Sequence, residues 1–279
     1  MPDEPAALEE ARRAFARRMA EMAAWDDPRF EEAVLATPRE DYLPPPPWLL
    51  IDPGLAAFHR STEPADLYRD VLVALDVAKG INNGQPTLHA AWIGKVRPQP
   101  GETVVHVGAG MGYYTAILAR LVSPGGKVFA YEIEPHLAQA ASQNLAAIDN
   151  AEVRAGDAVT SDMPQAGIIY VNAGVVAPPL AWLEALNPGG RLVFPWRPTA
   201  DVGLALLVTR RATGFAVDIF SPAWFIPCIG ASDDQIALRA PSRHDAAATR
   251  SLWLSRDRPP DDTATAIYHD FWFSSSPAE

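Results

Sequence analysis

Three glycines at alternate positions, Gly108, Gly110 and Gly112, follow directly on a run of β-forming residues from Thr103 to Val107. Beyond them Ala116, Ile117, Leu118 and Leu121 recur at helical spacing. The segment reads as strand, tight glycine turn, helix, and a chain that makes this handover belongs in a sheet whose strands alternate with helices. Glycine tolerates positive φ and lets a ligand approach the backbone. The helix start adds N–H groups without helical partners and the positive end of a dipole. The turn therefore predicts a ligand carrying oxygen or negative charge, held by Gly108, Ala109, Gly110, Gly112, Tyr113 and Thr115.

The spacing separates two ligands. A dinucleotide turn is G-x-G-x-x-G. Here the third glycine comes one residue early, and Tyr113 stands where the dinucleotide glycine would be. G-x-G-x-G resembles the turn of S-adenosylmethionine (SAM) methyltransferases. The next strand, Lys127 to Tyr131, ends in Glu132 and Ile133. An acid about 20 residues past the glycine loop can accept from two ribose hydroxyls. Glu132 fits that role, with a solvated strand end as the plain alternative. A third strand near 151–154 runs into Gly156-Asp157-Ala158, where Asp157 can take an adenine amino group or simply form an Asp turn. The candidate cofactor set is thus the glycine loop with Glu132, Ile133, Asp157 and Ala158. A glycine turn serving only strand–helix packing remains the structural alternative.

Composition narrows the partners. The formal net charge is −11 with no dense Lys/Arg run, so neither nucleic acid nor an anionic membrane is an expected partner. Cys228 is the single cysteine, which excludes a disulfide framework and a cysteine zinc site; no metal is expected. No apolar run has membrane-spanning length. The acidic, Ala-rich N-terminal stretch has no long apolar core, so no secretory signal and a cytoplasmic location are expected.

Residues 5–24 carry a helical pattern with Leu8, Phe15, Met19 and Met22 near one face, and Pro28 opens a second helix with Phe30, Val34 and Leu35. Thr37 to Trp48, with four consecutive prolines, reads as extended chain and 49–66 as irregular. Asp70 to Lys79 fits strand or helix. Asn82 to Pro86 is a turn, and Thr87 is expected to cap a helix through His89, Trp92 and Ile93. Strands near 103–107, 127–131, 151–154, 168–172 and 191–195 alternate with helices near 112–122, 135–147 and 178–186. Asn187-Pro-Gly-Gly190 reads as the stop before the fifth strand. A hairpin over 203–210 and 214–220 follows, then a tail with β-like stretches at 251–255 and 266–273. The fold class is α/β: a doubly wound, mostly parallel, Rossmann-like sheet with antiparallel terminal strands, N-terminal helices and a C-terminal extension. The expected domains are a helical and Pro-rich region over 1–80, a cofactor-binding domain over 81–227 and the extension over 228–279.

In order and spacing, residues 28 to 230 resemble the protein-L-isoaspartate (D-aspartate) O-methyltransferases. The resemblance is carried by Ala33-Val-Leu-Ala-Thr-Pro-Arg-Glu-Asp-Tyr-Leu-Pro44, Tyr68-Arg-Asp70, Gln85-Pro-Thr-Leu-His-Ala90, the loop from His106, Gly156-Asp-Ala158, Ile169-Tyr-Val-Asn-Ala173, the Leu186–Pro195 stretch and Trp224-Phe-Ile-Pro227. It implies SAM as cofactor and a carboxylate-bearing peptide or protein as acceptor. It places Asn83, Gly84, Gln85 and His89 on the acceptor side, with His89 also close to the cofactor or merely packed beneath the loop. Three departures stand out, one of them a C-terminal extension beyond Pro227 longer than a minimal repair enzyme is expected to carry. Gly84 replaces a serine that the family uses at the substrate carboxyl, and Gly167 stands where the fourth strand starts from Asp. A serine at 84 would add a donor for the acceptor, opposed by strain if Gly84 has positive φ. A carboxylate is ionised at pH 7 and needs no general base, so the lack of a catalytic dyad is not an argument against activity. The readings that follow are repair methylation of isoaspartyl residues, a carboxyl methyltransferase retuned to another acid, and a non-catalytic SAM-binding module. The oligomeric state is not legible in the sequence.

Overall fold

The structure, a computed structural model, describes residues 4–53, 57–233 and 236–278. Helices α1 (Glu4–Ala23) and α2 (Pro28–Leu35) lead into strands β1 (Trp48–Asp52), β2 (Ala57–Ser61), β3 (Leu72–Asp76) and β4 (Ile81–Asn82), then helix α3 (Pro86–Val96). The alternating part is β5 (Thr103–Val107), α4 (Tyr113–Leu121), β6 (Lys127–Glu132), α5 (Pro135–Asn144), β7 (Ala151–Ala155), β8 (Ala166–Val171), α6 (Leu180–Ala185) and β9 (Leu186–Trp196). Strands β10 (Leu204–Arg210) and β11 (Phe215–Pro222), helix α7 (Arg243–Ala248), and strands β12 (Ser251–Leu254), β13 (Ala264–Ile267) and β14 (Phe271–Ser274) complete the chain. The described residues of Met1–Glu102 and Ala109–Ala155 form one compact unit; those of Thr103–Gly108 and Gly156–Glu279 form another.

In the first unit β6 and β7 pair in parallel, with Val128 opposite Ala151 and Glu132 opposite Ala155. The helices around them start where local chemistry dictates. Pro28 opens α2 behind Asp27, whose carboxylate accepts the Arg29 N–H at 3.0 Å. On α1 the buried face is Phe15, Ala16, Met19 and Ala23, while Met22 is 45% exposed and lies off it. A separate antiparallel sheet runs β2-β1-β3-β4 and buries Leu43, Trp48, Leu50, Leu67, Val71 and Val73. This sheet corrects the sequence reading of 49–66 as irregular; residues 54–56 lie outside the described residues. It also resolves Asp70 to Lys79 as strand. The stretch from Thr37 is not wholly extended either, because Arg39–Tyr42 makes one 3-10 turn.

That turn buries a guanidinium. Arg39 is 1% exposed and has no carboxylate partner among the described residues. Its Nη1 donates to the carbonyls of Leu67 and Arg69 and its Nη2 to that of Val71. Its Cζ lies 5.5 Å from the Phe15 ring centroid and 5.9 Å from that of Tyr113. Three carbonyl dipoles and two aromatic faces replace the hydration of the charge.

In the second unit β5, β8 and β9 pair in parallel, and their buried residues are almost all aliphatic or aromatic, as expected of strands covered on both faces. From β9 the order continues antiparallel through β10, β11, β12, β14 and β13. The tail is therefore more sheet: β12 pairs with β11 through Phe215↔Leu252, and the stretch 266–273 splits into two strands around a turn. The Tyr268 hydroxyl donates to the Val176 carbonyl at 3.0 Å, and the Phe273 ring packs 4.7 Å from that of Trp196. Asn187–Gly190 is not a stop ahead of the fifth strand but a bulge within it, since Ala166 faces Leu186 while Ile168 faces Arg191.

Replacing Arg39 with Lys keeps the charge but cannot reach three diverging carbonyls. Each hydrogen bond to a charged group contributes about 1.5–3 kcal/mol. Arg39→Lys should therefore lower unfolding free energy in urea by at least about 2 kcal/mol. A melting profile identical to the native one would show that the guanidinium fork is dispensable.

Candidate active site

The glycine loop has the backbone that its sequence demands. Gly108, Gly110 and Gly112 have φ of +77°, +57° and +96°, a region costly for residues with a Cβ. Gly112 is the N-cap of α4, with no side chain capping the helix start. In the first unit the loop is closed on Glu132. Its Oε2 accepts the Gly110 N–H at 2.7 Å and its Oε1 accepts the Glu134 N–H at 3.0 Å. Each oxygen keeps a second lone pair for a hydroxyl. Glu132 is 6% exposed, and burial raises its pKa although backbone donors work against the rise. An oriented carboxylate beside a glycine-rich turn fits the ribose end of SAM. Ile133 beside it is exposed, whereas Thr115, inside α4, is fully buried.

The acceptor-side residues also lie in the first unit, and they are built onto α4. The His89 ring is buried and stacks on Tyr114, with centroids 3.9 Å apart. Gly84 lies against the Nε2 edge of that imidazole: a Cβ at Gly84 would come within 2.2 Å of His89 Nε2, and φ there is +78°. The loop is tied down by its own side chains. Asn82 Oδ1 accepts the Gly84 N–H at 2.9 Å, and Asn83 Oδ1 accepts the Val73 N–H at 2.8 Å. Gln85 Nε2 donates to Asp70 Oδ2 at 2.7 Å. Asp70 also accepts the Thr87 N–H at 2.9 Å and the Thr87 hydroxyl at 2.7 Å. The helix cap is thus Asp70, reaching from 17 residues upstream, with Gln85 at the N-cap and Thr87 inside the helix rather than capping it. The amide nitrogens of Asn82 and Asn83 make no hydrogen bond among the described residues and remain as donors.

In the second unit Asp157 forms an Asx turn, its Oδ1 accepting the Val159 N–H at 2.8 Å. Ala158 is buried, and its carbonyl accepts from Trp182 Nε1. The Asp157 Oδ2 oxygen faces Gly230, where a Cβ would lie 3.3 Å away. Sequence reasoning missed Asn172 at the end of β8. A Cβ at Gly108 would meet Asn172 Cβ at 3.4 Å, and Asn172 Nδ2 and His106 Nε2 share a 2.8 Å hydrogen bond. Its Oδ1 is buried without a partner. His106 is a core residue, pushed down to about 3 by burial and hence neutral at pH 7. Asn172 falls within the Ile169–Ala173 stretch that resembles the family's fourth strand, but only its place at the strand end marks it as a site candidate.

A turn of this spacing, an acid at the end of the second strand and parallel strands alternating with helices define the SAM-dependent methyltransferase class. Comparison with known proteins narrows it. Residues 56–233 match the family profile described as Protein-L-isoaspartate(D-aspartate) O-methyltransferase (PCMT), and the chain belongs to that family. The match starts later than the sequence resemblance, so the Thr37–Pro44 signature precedes it. A protein-L-isoaspartate O-methyltransferase of Methanopyrus kandleri is 30% identical over 70% of this chain and 80% of its own. One of Aeropyrum pernix is 37% identical over 50% of this chain, and the match spans 55% of that relative's length. Among solved structures, a protein-L-isoaspartate O-methyltransferase superposes with a TM-score of 0.68 at 19% identity, over 94% of this chain and 86% of the other. A Plasmodium falciparum candidate of the same family, in complex with S-adenosyl-L-homocysteine, gives 0.62 at 17% identity over 78% and 97%. At such identity these two establish the fold.

Two outcomes follow from the geometry. Glu132→Gln keeps one acceptor oxygen and loses the charge, so S-adenosylhomocysteine affinity should fall about tenfold or more by calorimetry, at about 1.5–3 kcal/mol per charge-assisted bond. Native affinity should also weaken on acidification above the pH at which an ordinary glutamate titrates, because the free carboxyl is raised and hydroxyl donors favour its ionised form. The same raised value means that ionised Glu132 opposes folding, so the acid-side loss appears in binding and not in melting temperature. An affinity unchanged by both mutation and pH would leave Glu132 a backbone clamp only.

Gly84→Ser carries positive-φ strain, of about 1–2 kcal/mol, together with the overlap with His89. It should lower the melting temperature and displace the loop, and the added hydroxyl should not raise turnover. A serine variant of native stability and higher activity would contradict the contact.

Proposed function

We propose that this chain transfers the methyl group of SAM to the carboxylate of isoaspartyl residues in peptides and proteins, a repair reaction on damaged polypeptide. The observation that carries this reading is the continuity of the first unit: the clasp of Gly110 on Glu132, the helix α4 that follows it, and the stack of Tyr114, His89 and Gly84 that sets the Asn82–Gln85 loop. Family membership supplies the acceptor class. We assign cofactor binding to Gly108, Ala109, Gly110, Gly112, Tyr113, Thr115, Glu132, Ile133, Asp157 and Ala158. The acceptor side is Asn83, Gly84, Gln85 and His89, joined by Asn82. In the same proposal residues 81–227 are the methyltransferase domain and 228–279 its extension, with a cytoplasmic location.

SAM, when bound, supplies an electrophilic methyl group on a positively charged sulfur. The protein's share of the work is orientation and exclusion of water, because an ionised carboxylate is already the nucleophile. Asn82 and Asn83 fix the loop with their carbonyl oxygens and offer amide N–H groups to the acceptor carboxylate. Gln85 keeps α3 in place through Asp70. His89 acts as packing: its ring abuts Gly84 and stacks on Tyr114, which sets the loop against α4.

A second reading, methylation of a different carboxylic acid, draws on Gly84, since no serine fits at this position. One assay separates the two. Isoaspartyl and aspartyl versions of one peptide are incubated with labelled SAM and scored for base-labile methyl ester. Label on the isoaspartyl peptide alone is the expected result. Tight S-adenosylhomocysteine binding with no label on either peptide would transfer the case to the second reading.

A further inference from the structure

The carboxylate of Glu132 is held by two backbone donors, the N–H groups of Gly110 and Glu134. One hairpin of the same unit touches both of these residues. Strands β3 and β4 join through residues 77–80, where the Gly80 N–H donates to the Val77 carbonyl at 3.3 Å and Asp76 Oδ1 accepts the Lys79 N–H at 3.2 Å. At this tip Leu75 lies on the bare backbone of the glycine loop: a Cβ at Gly110 would meet its Cδ1 at 3.1 Å. Lys79 forms an ion pair with Glu134, whose side chain is only 12% exposed. Asp76 Oδ2 lies 3.4 Å from His136 Nε2, in the first turn of α5. The contacts of Leu75, Asp76 and Lys79 thus land around the acid assigned to the cofactor.

The hairpin has a fixed base and a separate tip. At the base the Asn83 N–H donates to the Val73 carbonyl at 3.0 Å, and Asn83 Oδ1 accepts the Val73 N–H at 2.8 Å. Above it the ladder is interrupted. Ala74 faces Asn82 and Asp76 faces Ile81, which leaves Leu75 as the extra residue of a bulge. The tip can therefore turn about Leu75 while the base keeps the Asn82–Gln85 loop in place. Its position against the glycine loop and α5 is set by the Leu75 contact and the two side-chain pairs.

We propose that the β3–β4 tip is a latch over the cofactor site, opened for SAM to enter and for S-adenosylhomocysteine to leave, and that Lys79 is its catch. This rests on the assignment of Glu132 to the cofactor. The pairs joining the tip to α5 are made between protein groups alone, so they hold the latch whether or not cofactor is bound. Weakening them speeds entry and exit together and leaves the equilibrium affinity nearly unchanged. A side chain that only touched the bound cofactor would alter exit and affinity instead. An ion pair with one partner in water is of modest strength, so the changes are several-fold and not orders of magnitude.

Stopped-flow mixing gives the association and dissociation rates of S-adenosylhomocysteine, and amide hydrogen exchange over residues 73–83 reads the hairpin without cofactor. In K79E two carboxylates confront each other. Both rates should then rise about three- to fivefold. The dissociation constant should stay within about twofold of the native one. Amides of residues 76–81 should exchange faster, and those of Val73 and Asn83 should not. The charge-exchanged K79E/E134K should return both rates toward native. In the native protein, raising salt from about 0.05 to about 0.5 M should speed both steps, and much less so in K79Q. Native rates and native exchange in K79E overturn the latch, and so does faster dissociation alone with a matching loss of affinity. The native salt dependence needs no variant, so a poorly folding one does not spoil the result. Failure of the native protein to bind S-adenosylhomocysteine would refute the cofactor assignment, while exchange at 76–81 reads the catch separately.

Discussion

The buried guanidinium of Arg39 holds the lead-in to α3 and its Asn82–Gln85 loop in place. By taking the carbonyls on either side of Tyr68-Arg-Asp70, it fixes the turn from which Asp70 reaches the start of α3. Asp70 in turn sets Gln85 and the loop before it. The Tyr68 hydroxyl is held by Glu40 and Arg12, so the turn is gripped from both ends. The face of Arg39 that is not hydrogen-bonded lies over Tyr113, the first residue of the helix after the glycine loop. Buried charge is costly unless satisfied, and here its satisfaction requires the loop, the strand lead-in and the helix to be in register.

The sequence motifs Pro-Arg-Glu and Tyr-x-Asp thus find a physical reading. They stand far from the glycine loop in the chain, yet Asp70 holds Gln85 and Arg39 lies over Tyr113. Their residues form a relay of hydrogen bonds and ring contacts that ends at Gly84. The consequence for Gly84 is steric: His89, pinned on Tyr114, leaves no room for a side chain there. On the proposed reading, the Asn82–Gln85 loop meets an acceptor with amide nitrogens and backbone instead of a hydroxyl at position 84.

Legibility in the sequence followed range. The glycine loop, Glu132 and the Asp157 turn were readable because strand, turn and helix signals lie within a few residues of one another. The five parallel-type strands and the hairpin were readable from apolar runs and turn residues. The small sheet of β1 to β4 was not, because prolines flank it and its half-exposed strands lack clean alternation. The Thr87 cap was misplaced because the true cap is a side chain from another element. Asn172 was read only as part of a strand, since its significance lies in what the fold brings against it, Gly108 and His106.

Cys228, whose N–H donates to the Gly174 carbonyl at 2.7 Å, sits two residues before the Gly230 that abuts Asp157, and burial with a nearby carboxylate pushes its thiol up to about 12. The protein therefore presents no thiolate to a maleimide at neutral pH in its folded state. A cysteine introduced on an exposed surface would be the one reactive sulfur of the molecule. Spectroscopic probes can be attached singly without first removing the native residue, and any labelling of Cys228 itself would report that the 226–231 segment has opened.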